Sequence, residues 1–183
     1  KPLDGLPAAY VESESEADTL EITLVDSLTG LKIIISYSVF EDYDVITKSV
    51  RAVNDGAQPI DVQSILSSTT YLFDKNYEFV HLTGAWARER HIQKQPLMNG
   101  TMQIDSKRVA SGHIHSPFLA LARPWATENQ GEVYGYSFVY SGNFIMQAET
   151  NQQDVVRVNI GINPFGFHWL LEPGEAFQAP EVV

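Results

Sequence analysis

The 183 residues of this chain are 44% hydrophobic and 19% charged, a globular composition, and are numerous enough to bury a sizeable core. A formal net charge of −11 argues against a nucleic-acid backbone or an anionic membrane as partner, because like charges repel. No apolar run approaches the roughly 20 residues that cross a bilayer, and the absence of cysteine excludes disulfides and thiolate metal sites.

In chain order, Lys1-Pro2-Leu3-Asp4 carries neither an initiator Met nor a signal-peptide pattern, so a fragment of a longer chain is expected. With no cysteine, a reducing, cytoplasmic setting is favoured. Tyr10 to Asp18 places Glu12, Glu14, Glu16 and Asp18 at every second position. In a strand they would share a face, but nothing apolar opposes them, so a solvated edge or turn is expected rather than an acid–base or metal site. Leu20, Ile22 and Leu24 alternate with polar residues as in a half-buried strand. Ser27-Leu28-Thr29-Gly30 then turns the chain into Leu31–Phe40, which is apolar on both faces at its middle and expected to be central. Asp44–Asn54, a turn at Asn54-Asp55-Gly56, and Ile60–Leu66 complete an expected four-stranded antiparallel meander.

Beyond Asp74-Lys75-Asn76, residues Tyr77, Phe79 and His81 alternate with Glu78, Val80 and Leu82. Gly84 to His91 reads as loop or short strand. Thr101–Val109 and Pro117–Ala122 are strand candidates, and Val155–Ile160 is another. Gly131 to Glu149 reads as two strands joined in a hairpin at Ser141-Gly142-Asn143, with Tyr134, Tyr136, Phe138 and Tyr140 on one face. About a dozen short strands separated by turn signals, and no amphipathic helix, predict an all-β, antiparallel two-sheet sandwich. The whole of 1–183 is read as one domain.

Two clusters invite a chemical reading. His113 and His115 would point the same way if extended, but a third ligand at matching spacing is missing. They are therefore expected to fix a loop before Pro117, with no metal or other cofactor. Trp86, followed by Arg88, Glu89, Arg90 and His91, offers an indole face for a sugar ring and guanidinium groups for its hydroxyls. The alternative is a core Trp86 with Arg88 in a surface ion pair.

Five motifs then carry a resemblance. They are Gly84-Ala85-Trp86-Ala87-Arg88-Glu89-Arg90, the run His113 to Phe118, Tyr140-Ser141-Gly142-Asn143-Phe144, Gly161-Ile162-Asn163-Pro164-Phe165, and Leu171 to Phe177. In this order they resemble the N-terminal β-supersandwich domain (galactose-mutarotase-like) of bacterial α-galactosidases of glycoside hydrolase family 36. Gly112 and Ser116 stand where that family has a Ser and an Asn. The resemblance implies a parent enzyme that hydrolyses terminal α-linked galactose from melibiose or raffinose with retention, using two Asp carboxylates on a following TIM-type barrel. No residue of this chain matches those catalytic motifs, so the chain alone is expected to be inactive. The partners implied are that barrel, further copies in a homo-oligomer, and galactosides. In the assembled enzyme Trp86 and Arg88 are the expected substrate-binding residues. A free-standing carbohydrate-binding module and a purely structural domain are the rival readings.

Overall fold

The computed structural model of the protein describes residues 10–13 and 15–183. Its elements in order are β1 (Asp18–Val25), β2 (Leu31–Phe40), a 3-10 turn (Glu41–Tyr43), β3 (Val45–Asn54), β4 (Ile60–Val62), β5 (Leu66–Leu72), β6 (Glu78–Ala85), β7 (Arg88–Pro96), β8 (Gly100–Asp105), β9 (His115–Ala122), β10 (Val133–Ser137), β11 (Phe144–Thr150), β12 (Val156–Ile162), β13 (Trp169–Leu171) and β14 (Ala176–Gln178). Every pairing between them is antiparallel. No α-helix occurs among the described residues. The all-β sandwich expected from the strand periodicity is what forms.

Three four-stranded sheets run in the orders β1-β2-β3-β14, β10-β9-β6-β7 and β5-β12-β11-β8, and β4 pairs with β13. The first two are stitched into one layer by residues 181–183. Val182 bridges Lys48 on one side and Phe138 on the other. The amide of Lys48 donates to Val182 O at 2.7 Å, and that of Val183 to Ser137 O at 2.9 Å. This long layer covers the third sheet. Phe79, Leu119, Leu121, Tyr136 and Phe138 from the first layer pack on Phe144, Met146, Val156, Val158 and Ile160 of β11 and β12. A smaller core, Ala52, Ile65, Leu171 and Ala179, seals β4 and β13 against β3. Fully burying each of these large aliphatic or aromatic side chains contributes about 1.5–3 kcal/mol.

Several local expectations change on folding. The arms on either side of Ser141-Gly142-Asn143 do not pair. β10 joins β9, whereas β11 lies between β12 and β8. Phe144, Met146 and Ala148 have no exposed surface, and a central position in the third sheet meets that need where a hairpin with β10 would not. The four-stranded meander stops at β3, because Ile60–Leu66 divides into β4, which pairs with β13, and the start of β5, which pairs with β12. Thr101–Val109 ends as a strand at Asp105, since Ser106 Oγ turns back to Ala110 O at 2.7 Å and Val109 takes φ +74°. Gly84 to His91, expected as loop or short strand, is the bend of a long hairpin. Of the acidic stretch, Glu14 lies outside the described residues; the amide of Glu12 donates to Glu16 Oε2 at 2.8 Å, and Asp18 opens β1.

The turns at either end of β2–β3 fold as read. Asp26 Oδ1 accepts from Leu28 N at 3.0 Å, and Gly30 adopts φ +79°. A Cβ on Gly30 would meet Gly56 Cα at 2.6 Å, so the two turns pack together only because both positions are glycine. Fully buried Asn54 ties this corner together, donating to Gln58 O and Leu171 O, each at 2.8 Å.

Candidate functional site

Four of the five motifs, separated by up to 80 residues of sequence, meet at one end of the sandwich. The first is the β6–β7 hairpin. Ala85 pairs with Arg88, so Trp86 and Ala87 alone make the turn, and a bulge lies between Thr83 and Ala85. Gly84 sits in the bulge, where a Cβ would meet Glu89 Cα at 2.8 Å. Ala87 and Arg90 take φ +59° and +61°. The Ala87 amide donates to Glu89 Oε1 at 2.8 Å, which holds the tip in place. Trp86 is 83% exposed, so it is not a core residue. Arg88 and Arg90 are also exposed and form no ion pair among the described residues, and every residue of β7 is exposed. The tip therefore displays an indole and two guanidinium groups to solvent.

The second motif lies beside it. Gly84 N donates to Ile114 O at 3.2 Å, which joins the hairpin to the loop of residues 106–114. The third and fourth motifs pin that loop. Asn143 Oδ1 accepts from Val109 N at 2.7 Å, and Ser141 O accepts from Ser111 N at 2.8 Å. Asn163, 2% exposed, sends its Nδ2 to Ser106 O and Phe144 O, each at 3.2 Å, while its own amide donates to Asn143 O at 3.0 Å. Asn143, read from the sequence as a turn residue, and Asn163 of the fourth motif thus hold a loop far from them in sequence.

Under the loop is a cavity of about 470 Å³ lined by residues 105–108 and 110–115. His113 is exposed in the loop, whereas His115 begins β9 and is half-buried, so the pair does not act as a unit. The neighbour of His115 is His81 of β6, with ring centroids 5.6 Å apart. Burial pushes the pKa of His81 down, and the nearby His115 adds to the effect. Burial also lowers that of His115, opposed by the charge of Asp105. Nδ1 of each ring is buried with no hydrogen-bond partner among the described residues. No group of three metal-binding side chains occurs among the described residues. The place of His81 in a strand was legible from its alternation with Phe79; its pairing with a histidine on β9 was not.

One end of the β-sandwich thus carries an exposed aromatic and cationic hairpin beside a cavity in the neighbouring loop. The sequence model of the glycosyl hydrolase family 36 N-terminal domain matches residues 1–172, and the chain belongs to that family. It is 51% identical over 181 residues to α-galactosidase AgaA of Geobacillus stearothermophilus, covering 99% of this chain and 25% of that protein. α-Galactosidase 1 of Pediococcus pentosaceus is 39% identical over the same span, with the same coverage. The crystal structure of AgaA superposes with a TM-score of 0.96 at 50% identity, over 100% of this chain and 25% of AgaA. That of the Lactobacillus brevis α-galactosidase gives 0.95 at 41% identity, over 100% of this chain and 24% of the other. The chain thus spans about a quarter of the length of these relatives.

Proposed function

We propose that this chain is the non-catalytic N-terminal domain of a cytoplasmic α-galactosidase that releases terminal α-linked galactose from oligosaccharides such as melibiose and raffinose. In this reading it packs on a catalytic barrel, supports a homo-oligomer, and lends Trp86 and Arg88 to the rim of the sugar site. The observation that carries the reading is the exposed Trp86 at the two-residue turn of a hairpin that projects from a domain matched to α-galactosidases over its whole length. A tryptophan left in water at a rigid tip is a contact surface, because its indole stacks on apolar faces at low entropic cost. An AgaA variant has been crystallised in complex with raffinose, consistent with the substrate class.

A docking face is also available. Leu20, Ile22 and Leu24 of β1 are exposed and lie across from Tyr37, Ile35 and Ile33, which gives an apolar stripe at the edge of the long layer. The test is hydrolysis of a nitrophenyl α-galactoside. The chain alone should release no nitrophenol, since a retaining mechanism needs two carboxylates flanking the bond. The complete enzyme should be active. Turnover by the isolated chain that survives repurification, or an inactive complete enzyme, overturns the proposal.

A further inference from the structure

The cavity beneath residues 106–114 carries a donor and acceptor set that the proposed role of the hairpin leaves unused. Its volume, about 470 Å³, falls within the roughly 300–1,000 Å³ of small-molecule sites. Asp105 lines it with an oriented carboxylate. Oδ2 is held by Lys107 Nζ at 2.9 Å, Gln103 Nε2 at 3.1 Å and Asn163 Nδ2 at 3.5 Å. Oδ1 has no partner among the described residues. Arg108 lines the same cavity and makes no ion pair among the described residues. His115 lines it as well, with its Nδ1 sealed inside the protein, so Nε2 is the ring atom left to meet a ligand.

The charges select the ligand class. An anion would meet the Asp105 carboxylate, and burial disfavours a positive charge on the His115 imidazole that could offset it. A cation would meet Lys107 and Arg108. A hydroxyl suits all three groups: it donates to a carboxylate, accepts from a guanidinium, and pairs with either tautomer of a neutral imidazole. Carboxylate and guanidinium together match two neighbouring hydroxyls of one ring.

We propose that this cavity binds a neutral polyhydroxylated ligand of monosaccharide size, with Asp105 Oδ1 accepting from one hydroxyl, Arg108 donating to the next, and His115 Nε2 contacting a third. The site is separate from the hairpin tip. It requires nothing of the catalytic barrel, so its failure would leave the proposed function standing.

The experiment uses this chain, labelled with ¹⁵N, and titrates galactose, glucose, inorganic phosphate and zinc chloride in separate samples. A saturable response to a sugar, centred on the amides of residues 108–115, is expected. Arg108→Ala should weaken it about tenfold, the loss of one charge-assisted hydrogen bond. Arg108 is exposed, so this variant should melt at the same temperature as the parent. Gly112 lines the cavity and a Cβ there meets nothing within 4 Å, so Gly112→Leu is a second variant that fills the space, and it should also weaken binding. Trp86→Ala should bind as the parent does. Saturation by phosphate or zinc but not by sugar overturns the proposal, as does no saturable response at all. Sugar binding lost in Trp86→Ala but intact in Arg108→Ala overturns it too.

Discussion

Replacing Trp86 by alanine separates a contact residue from a structural one. The side chain is 83% exposed, so only about a sixth of its surface is shielded by the fold. For an aromatic side chain of up to about 250 Å², that is on the order of 40 Å², worth about 1 kcal/mol at 25 cal/mol/Å². Phe79, at 2% exposure on the same strand pair, sets the contrast, since its truncation should cost about 3–5 kcal/mol. Trp86→Ala should therefore move the urea midpoint of this chain only slightly. In the complete enzyme it should lower kcat/KM by about tenfold, the loss of one stacking contact worth about 1–2 kcal/mol. The first is measured on this chain by urea titration followed by circular dichroism, and the second on the complete enzyme by initial rates on a nitrophenyl α-galactoside. A destabilisation as large as that of Phe79→Ala, with normal kinetics in the folded fraction, would refute the reasoning. So would unchanged kinetics at unchanged stability.

Gly84→Ala should act on the same hairpin by a different route. Its new Cβ would collide with the backbone of Arg88 and Glu89, so the bulge must open. A loss of about 1–3 kcal/mol is expected, together with a fall in kcat/KM of the complete enzyme, because the tip is re-aimed; a variant as stable as the parent would contradict the bulge geometry. The His81–His115 pair makes stability pH-dependent. Both pKa values are lowered on folding, so below the ordinary value of 6.5 the unfolded chain binds more protons than the folded one. Stability from this pair is full above about pH 6.5 and is lost as pH falls through the folded values, with the Asp105 carboxylate easing the charging of His115. Melting curves between pH 7 and 5 should show the decline, and His81→Gln should flatten it. An equally steep profile in that variant would sink the assignment.

How much of this was legible in the sequence follows from what is local and what is not. The two-residue period of Leu20 to Leu24, of Tyr77 to Leu82 and of Tyr134 to Phe138 specifies strands, because alternate side chains point to opposite faces. The turns at Ser27 to Gly30 and Asn54 to Gly56 are set by residues that reach their conformations at little cost. A dozen such elements with no amphipathic helix leave a sandwich as the way to bury them. Which strand pairs with which is not local. The two arms around Gly142 have the pattern of a hairpin, and they separate because Phe144, Met146 and Ala148 reach full burial only between β12 and β8. The exposure of Trp86 was equally hidden. Its turn contains no Asn-Gly or Asp-Gly pair, and only the register of β6 against β7 puts the indole at the tip. The motif residues were visible one by one along the chain. Their meeting at one end of the sandwich, and the alignment of Asp105, Arg108 and His115 around one cavity, depend on contacts across more than fifty residues of chain, such as that of Asn163 with Ser106. Such contacts are decided by how the two layers pack, and no local pattern of side chains encodes them.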